Sequence, residues 1–482
     1  MKETLLIALP LLFAIGAFAW PAERTRPLFL PVAGILHSIL ALWLLINPPA
    51  VPANIWFSFD PLARAVLPMT SLLFLVCSFY GVAYLRVRAE WKNRVFVAAL
   101  LILLGLLSLA LQAQNLGLLW VATEAATLVS IPLLHFNGTA RAFEAAWKYL
   151  LIGGTGIALS LLGSFCLGYA SLYNGGSGDL SFAALAKPGA NLSLPWLLTA
   201  WVLLLTGYGT KMGLAPMHTW KPDAYGEAPG MVGALMAGGM TTMAFVAILR
   251  VKQVVDSAGP EARTATTTTL LGLGLFSMLI AAIFLLSTPD FKRMLAYSSV
   301  EHMGILAVGA ALGGVGTWAA LFHVWTNGFT KSALFLSAAN IRRATGAQTR
   351  DTVAGMAWRT PWSARILVVG VFAITACPPF GPFFSELRIL AATFSGRKPL
   401  VAAVFLLCLL FAFFGLTRLV FTIVDGRPRP PVGIANQRHP ENPGVVLPAL
   451  AFLALSLWLG LATPRLLNDV WMNAAHFLYD AP

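Results

Sequence analysis

The sequence predicts an all-α protein that crosses a membrane many times. Only 11% of its 482 residues are charged, compared with about 25% in soluble domains, and its mean hydropathy is +0.78. A transmembrane helix needs roughly 20 mainly apolar residues, and about fourteen such segments follow one another along the chain. No polar stretch is long enough to link separate soluble domains, so we expect residues 1–482 to form one integral membrane domain.

The predicted spans are distributed along nearly the whole chain. Span 1 is expected to be retained rather than cleaved as a signal peptide, because Arg24 and Arg26 place its basic flank on the wrong side. Spans 10 and 11 share a very short turn at Gly313 and Gly314. Segment 464–482 has apolar residues at helical spacing and predicts a short amphipathic helix on the outer surface. The spans lie at 3–20, 28–47, 62–84, 95–112, 115–134, 146–171, 195–219, 229–249, 267–288, 296–313, 315–340, 364–395, 399–424 and 444–463.

Basic residues in the loops predict the orientation. Cytoplasmic loops carry an excess of Lys and Arg, and alternating the loops puts 18 basic residues on one side and 8 on the other. The richer side, to which Lys221 and Lys292 are assigned, is expected to be cytoplasmic, with both termini outside. The outer loop 250–266, with three basic residues, is the exception. Because the basic residues are scattered, the net charge of +13 does not indicate a nucleic-acid partner.

Six ionisable residues interrupt the apolar segments in two similar sets. They are Glu124, Lys148 and Lys211 in the first set and Glu301, Lys331 and Glu386 in the second. A charge near the bilayer centre costs about 2.5–3.5 kcal/mol on insertion scales, so such residues are usually functional. Counterparts lie five spans apart, and an odd number places the second copy in the opposite orientation. The chain therefore predicts an inverted repeat, with copies at 95–250 and 267–424.

Each set ends at a helix that proline interrupts. Span 7 contains Lys211-Met-Gly-Leu-Ala-Pro216, and span 12 contains Cys377-Pro-Pro-Phe-Gly-Pro382 shortly before Glu386. Proline removes a backbone donor and clashes with the preceding turn. Such breaks are tolerated at membrane depth only where neighbouring protein or water satisfies the backbone. Paired breaks in corresponding spans indicate a transport site, and we expect Glu386 to release the ion on the far side.

The first set suits proton transfer between an acid and a base. The protonation of a lysine in apolar surroundings depends strongly on nearby carboxylates, so Glu124 and Lys211 form a switchable pair if spans 5 and 7 pack together. Glu144 and Lys148 have the i, i+4 spacing of a helical ion pair. For these two residues a surface salt bridge is the alternative to a role in transport.

Three histidines lie between the two halves of the predicted pathway: His218, His302 and His323. Neutral imidazole both donates and accepts hydrogen bonds and titrates near neutral pH, so a row of histidines can relay protons through water. A structural histidine that hydrogen bonds satisfy is the alternative for each of them.

The sequence predicts no cofactor and no catalytic redox centre on this chain. Its four cysteines lie in apolar runs without a C-x-x-C spacing and are interpreted as buried hydrophobic residues. Nucleotide-binding glycine motifs are absent from the sequence as well. The energy for transport is therefore expected to come from partner proteins.

Three motifs resemble one family of membrane proteins. The first is Asp290-Phe-Lys-Arg-Met-Leu-Ala-Tyr-Ser-Ser-Val-Glu-His-Met-Gly304; the second begins at Lys211-Met-Gly-Leu-Ala-Pro-Met-His-Thr-Trp-Lys-Pro-Asp-Ala and continues to Glu227-Ala-Pro-Gly; the third is His323 with Phe329-Thr-Lys-Ser-Ala-Leu-Phe-Leu. Together they resemble the antiporter-like, proton-translocating proteins: the L, M and N subunits of complex I, the A and D subunits of Mrp antiporters, and their counterparts in group 4 membrane hydrogenases. The form of the first motif is most similar to that of the F subunits of hydrogenase-4.

The resemblance implies a fold of fourteen helices with inverted repeats at spans 4–8 and 9–13. It implies a pair between Glu124 and Lys211, a hydrophilic axis and a terminal ionisable residue at Glu386, with Lys148 and Lys331 matching family lysines. Span 8 departs from the family. Its sequence Gly238-Gly-Met-Thr-Thr-Met-Ala lacks the usual lysine or histidine, so the central step would depend on water held by the threonines and on His302 or His323.

Three hypotheses about function follow. In the first, the chain moves protons in the bacterial cytoplasmic membrane within a group 4 hydrogenase-like or complex-I-like assembly, together with other membrane subunits and peripheral iron–sulfur or nickel–iron subunits. In the second, it belongs to a Mrp-type Na⁺/H⁺ antiporter or an inorganic-carbon uptake complex without redox chemistry. In the third, it is a membrane scaffold with a degenerate pathway, as the missing residue in span 8 suggests.

Overall fold

The protein is a bundle of helices in a computed structural model that describes residues 2–49, 54–88, 91–187, 191–350, 352–426 and 439–479. Within these residues there are three isolated β-bridges and no β-strand. Eleven of the described helices are long and apolar enough to cross a membrane. The predicted all-α, polytopic membrane fold is confirmed.

Seventeen helices of more than one turn are described, and every predicted span contains at least one of them. They are α1 (Lys2–Ala19), α2 (Phe29–Ile46), α3 (Pro61–Val87), α4 (Arg94–Gln112), α5 (Leu116–Leu134), α6 (Ala140–Tyr173), α7 (Leu194–Met212), α8 (Trp220–Glu227), α9 (Gly230–Asp256), α10 (Pro260–Ser287), α11 (Phe291–Leu312), α12 (Gly314–Thr345), α13 (Pro361–Ile374), α14 (Gly381–Ser395), α15 (Pro399–Asp425), α16 (Pro443–Leu461) and α17 (Arg465–Tyr479).

Spans 7, 11 and 12 are the predicted spans that fall outside the eleven apolar helices. They correspond to α7, to α12 and to the pair α13 and α14. These helices carry Lys211, Lys331 and Glu386, and two of them adjoin a proline break. Span 12 is divided by its break into helices of 14 and 15 residues, which are too short to cross a membrane alone, and polar residues lower the hydropathy of the other two spans. The total of fourteen spans therefore stays a prediction.

The centre of the bundle is formed by α9 and α12. Every residue of α9 is buried, and α12 packs against α11, α13, α14 and α16. Side chains on the perimeter are large, apolar and exposed; Phe165, Ile283 and Leu400 are examples. An apolar surface of this kind is unusual for a soluble monomer and is expected of helices that face lipid.

Small residues allow the helices around the site to approach closely. A Cβ atom placed on Gly207 of α7 would lie 2.5 Å from the carbonyl oxygen of Gly156 on α6. A Cβ atom on Gly274 of α10 would lie 2.9 Å from the carbonyl oxygen of Gly304 on α11. Both contacts are of the small-residue type that lets membrane helices pack backbone against backbone.

Both predicted breaks are present. Helix α7 ends at Met212 and is followed by Gly213, whose φ is +86°, and the chain continues through a cis Ala215–Pro216 bond into α8. Helix α13 ends before Ala376, whose φ is +56°, and a cis Pro378–Pro379 bond precedes α14. The short turn between α11 and α12 at Gly313 and Gly314 also matches the predicted position.

The loop assignments used for orientation need three corrections. Span 8 was predicted to end at 249, but α9 continues to Asp256. Arg250 and Lys252 are therefore buried helix residues, paired with Asp60 at 2.6 Å and with Asp256. Carboxylates compensate two of the three basic residues in the exceptional outer loop.

The other two corrections concern Lys221 and Lys292, which are not exposed loop residues. Lys221 lies in the first turn of α8 and Lys292 in the first turn of α11, and both are buried. The balance of basic residues still favours the predicted side, but these two do not contribute to it.

The C-terminal segment forms helix α17, as predicted for 464–482, of which residues 480–482 lie outside the described part. Its apolar face packs on α3 and α12. Trp471 is fully buried, with its ring centroid 5.1 Å from that of Phe322 and 5.7 Å from that of Trp325. The apolar face of α17 is therefore covered by the protein itself.

Candidate functional site

Lys211 lies at the head of a buried chain of hydrogen bonds. It occupies the last turn of α7, is 1% exposed, and its Nζ donates to the hydroxyl of Tyr149 on α6 at 2.6 Å. The Tyr149 hydroxyl lies 2.9 Å from Ser130 Oγ on α5, and Ser130 donates to the carbonyl of Thr127 at 2.7 Å. Because the serine proton is engaged there, Tyr149 donates to Ser130, and the chain runs in one direction from the lysine.

Glu124 lies in the same region without touching Lys211. It is partly buried on α5, its Oε2 atom is buried without a hydrogen bond, and within the described residues it forms no ion pair. Its charge and that of Lys211 act on each other nonetheless. Gly153 of α6 lies beside the lysine, where an added Cβ would lie 3.9 Å from Lys211 Nζ. Glu124 and Lys211 therefore interact electrostatically, without a direct contact between their side chains.

Lys148 is placed differently from the expectation of a buried pathway residue. Its side chain is 46% exposed and pairs with Glu144 at 2.6 Å and with Asp223 at 3.0 Å. Asp223 also pairs with Arg293 at 2.6 Å, so these four residues form a charged rim that joins α6, α8 and α11. The surface salt bridge weighed as the alternative for Glu144 and Lys148 is present.

His302 and His323 form the centre of a second buried chain. His302 Nδ1 lies 2.9 Å from His323 Nε2, and His323 Nδ1 lies 2.8 Å from Ser385 Oγ in α14. Ser385 donates to the carbonyl of Pro382 in the second break at 3.0 Å. The hydroxyl therefore accepts from His323 Nδ1–H, which leaves His323 Nε2 as the acceptor of the proton on His302 Nδ1.

Acidic and basic groups surround this histidine pair. Glu386 is 2% exposed, and its Oε1 lies 3.8 Å from His302 Nδ1. Neither of its carboxylate oxygens accepts a hydrogen bond from the residues that the structure describes. Lys331 is fully buried, its Nζ lies 3.4 Å from the carbonyl oxygen of Leu295, and Glu301 and Glu386 are its electrostatic partners. The structure thus brings together every member of the second predicted set.

The atoms of His302, His323 and Glu386 that could ligate a metal lie within 4.8 Å of one another. Two ligand nitrogens on a tetrahedral zinc ion, each at about 2.0–2.1 Å from the metal, are separated by roughly 3.3 Å. The two imidazole nitrogens are 2.9 Å apart, which is the length of a hydrogen bond. In this arrangement the two imidazoles are therefore hydrogen-bonded to each other.

His218 lies in the first break, apart from the histidine pair. Its ring centroid is 6.5 Å from that of Phe284 and 6.4 Å from that of Tyr297, on α10 and α11. The ring is buried, and its Nδ1 atom has no hydrogen bond among the described residues. His218 thus does not extend the row formed by His302 and His323.

Span 8 lacks the usual lysine or histidine, and its backbone departs there from a regular α-helix. Met236–Met240 forms a π-helical turn inside α9, and the two threonines after it, Thr241 and Thr242, donate to carbonyls one turn back at 2.7 and 2.6 Å. Such π-turns occur frequently at functional sites. Because both hydroxyl protons are engaged, these threonines offer only acceptor oxygens to a proton or a water molecule.

Three polar residues of these chains were missed from the sequence: Tyr149, Ser130 and Ser385. The buried side chain of Lys221 was missed as well. The buried positions of α6 recur at helical spacing and include Ala142, Ala145, Tyr149 and Gly153. This stripe of mostly small residues identifies Tyr149 as inward-facing, and Lys148 lies outside it. The helical spacing of the buried residues in span 6 could therefore have identified Tyr149, which a search for charged residues alone did not find.

The family of the chain follows from its similarity to known proteins. Residues 113–412 match the transmembrane family described as NADH:quinone oxidoreductase/Mrp antiporter. That range contains both buried chains and all nine predicted pathway residues. The chain belongs to this family. The resemblance read from the three motifs is confirmed, and the chain is an antiporter-like membrane protein.

Individual relatives of this antiporter-like family are similar over most of their length. The chain is 33% identical over 387 residues to the hydrogenase-4 component F homolog of Methylacidiphilum infernorum, covering 78% of this chain and 81% of that one. It is 30% identical over 433 residues to NADH-quinone oxidoreductase subunit N of Desulforudis audaxviator, covering 88% and 83%. A chain of the Mrp complex from Dietzia sp. shares its fold, with a TM-score of 0.85, 23% identity and coverage of 99% and 97%.

Proposed function

We propose that this chain moves protons across the membrane as an antiporter-like subunit of a larger complex. The observation that supports the proposal best is the presence of two buried hydrogen-bonded chains, each adjoining a broken helix. Each contains groups that can gain or lose a proton, surrounded by apolar helices. Uncompensated charge in such surroundings is costly, and ionisable residues placed there usually serve a function.

Protons would pass between the two chains along the middle of the bundle. Glu124 modulates the charge of Lys211, which passes its proton toward the interior. Lys331, with Glu301, receives charge in the second half, and His302 and His323 pass it to Glu386 for release. His218 connects this axis with the cytoplasmic side, and Lys148 contributes only to the charged rim there.

We further propose that residues 95–250 and 267–424 are inverted repeats with both termini on the outer side of a bacterial cytoplasmic membrane. The packing order supports the repeat: α4 contacts α5, α5 contacts α6 and α6 contacts α7, while α10 contacts α11, α11 contacts α12 and α12 contacts α13 and α14. Cysteine labelling at both ends of the chain in intact cells tests the orientation.

The partners are proposed from the relatives. A hydrogenase-4 component F homolog and a subunit of NADH-quinone oxidoreductase are among them, which favours other membrane subunits and peripheral redox subunits that supply the energy. Affinity purification of the tagged chain in mild detergent tests this point. Iron–sulfur or nickel–iron proteins among the co-purified subunits support the redox-linked assembly, and Mrp-type or carbon-uptake partners support the alternative.

The pathway is tested by measuring proton translocation in vesicles that contain the assembled complex. Lys211→Ala and Glu124→Gln are each expected to reduce translocation while the complex still assembles. Repeating the measurement with and without Na⁺ separates proton movement from Na⁺/H⁺ exchange. Unchanged translocation in both variants would show that the chain is a scaffold without a working pathway.

A further inference from the structure

Lys221 is a fully buried base next to the first helix break. It lies in the first turn of α8, its side chain is 0% exposed, and its Nζ donates to the carbonyl oxygen of Met212 at 2.8 Å. Met212 is the last residue of α7, so this carbonyl is one of those that a helix end leaves without a backbone partner. The break thus supplies the acceptor that holds Lys221 in place.

The backbone of the break leaves room for the Lys221 side chain. Gly213 has a φ of +86°, which other residues rarely adopt. A Cβ atom at Gly213 would also lie 2.6 Å from Lys221 Cδ and 2.9 Å from its Nζ. The glycine is therefore required twice, for the conformation of the turn and for the path of the lysine side chain.

Lys221 faces other basic groups rather than a carboxylate. Within the described residues no acidic side chain forms an ion pair with it. The charge of Lys221 interacts with those of Lys331 and His302, which lie in or beside the second buried chain. At its other side Lys221 is bonded to Met212, the residue after Lys211. Lys221 therefore contacts the end of the helix that carries Lys211 and interacts through its charge with groups of the second half.

We propose that Lys221 is the acid–base group that transfers protons between the two buried chains. It takes the place of the titratable residue that α9 lacks. This inference rests on the proposed function and names a residue for its central step. In that step an N–H bond of protonated Lys221 breaks, its electron pair stays on Nζ, and a new N–H bond forms on the neutral amine of Lys331. The proton passes through a bridging water molecule, because each amine is hydrogen-bonded to a backbone carbonyl and not to the other amine.

Repulsion between the lysines makes the step repeatable. Two protonated amines close together in a medium of low dielectric destabilise one another. A proton on Lys331 therefore keeps Lys221 from being protonated again until Lys331 has passed that proton on. No electron transfer and no metal is needed.

The test uses the complete complex reconstituted in liposomes, with proton uptake measured per assembled complex. Lys221→Gln keeps a donor for the Met212 carbonyl but cannot titrate. We expect normal assembly and a loss of translocation of roughly a hundredfold, the lower end of what a positioned acid–base group contributes. The matched control is Lys292→Gln, because Lys292 is also buried and donates to a carbonyl, that of Ala228, at 2.7 Å. The control is expected to translocate protons normally.

The outcomes separate this inference from the proposed function. If Lys221→Gln translocates like the wild type while Lys211→Ala does not, the pathway stands and the role of Lys221 is wrong. If neither variant is affected, the proposed function itself is wrong. If Lys221→Gln does not assemble, Lys221→Arg decides, because arginine keeps the charge and the donor but does not release a proton. Normal translocation by Lys221→Arg would overturn the inference, and loss of translocation would support it.

Discussion

Replacing Tyr149 with phenylalanine should slow proton movement more than replacing the charged residue next to it. The change removes one oxygen and leaves the packing volume nearly unchanged. Lys211 Nζ, 1% exposed, loses the acceptor that lies 2.6 Å away. A hydrogen bond to a charged group contributes about 1.5–3 kcal/mol. Since about 1.4 kcal/mol corresponds to a factor of ten, the protonated form of Lys211 should become roughly 10- to 150-fold less populated.

The assay is proton translocation in vesicles, normalised to the amount of assembled complex, and we expect Tyr149→Phe to lower it by about tenfold or more. Tyr80→Phe is the matched control, because Tyr80 is also buried and its hydroxyl donates to Asn340 at 3.1 Å, with no ionisable residue in the bond. The reasoning is refuted if Tyr149→Phe pumps as well as Tyr80→Phe in a background where Lys211→Ala is inactive.

Three further predictions concern the rim and the packing. Lys148→Gln should change translocation by less than about fivefold, because an exposed ion pair contributes only about 0–1 kcal/mol. A loss as large as that of Tyr149→Phe would place Lys148 in the pathway after all. Arg250→Met should destabilise the fold by about 1.5–3 kcal/mol, the contribution of a hydrogen bond to a charged group, because Asp60 loses its ion-pair partner and keeps only its hydrogen bonds from Gln114 and Ala63. The measurement is a lower thermal unfolding midpoint, and Asp60→Asn in the same chain should restore part of the loss. Gly207→Ala should cost about 1–3 kcal/mol through overpacking against Gly156, and an unchanged unfolding midpoint would contradict the close approach of α6 and α7.

The fold was largely predictable from the sequence because apolar segments of membrane length leave few alternatives. Helix ends were less predictable. Span 8 continues to Asp256 because the buried charges of Arg250 and Lys252 are paired with carboxylates, and Asp60, the partner of Arg250, lies 190 residues earlier in the chain. A rule that ends a membrane helix at a charge cannot anticipate a partner that distant.

The site was predictable where a lone charge interrupted an apolar run, as at Lys211 and Glu386. It was not predictable where the working group is uncharged or where a charge lies near a predicted loop. Tyr149 was overlooked because Lys148 drew attention to the adjacent position, which points about 100° away on the helix. Lys221 was assigned to a loop because the break ahead of it looked like the end of a span, although the chain continues as a buried helix.

The two breaks carry groups of opposite type, and this difference gives the proposed pathway a direction. When a proton moves from Lys211 to Glu386, a buried cation and a buried carboxylate both become neutral. Each buried charge is costly in a medium of low dielectric, so the internal transfer is favourable and its reversal is not. Energy is then needed only to protonate Lys211 again and to remove the proton from Glu386. Those two steps lie at the ends of the axis, where contact with partner proteins or with water on opposite sides of the membrane can drive them.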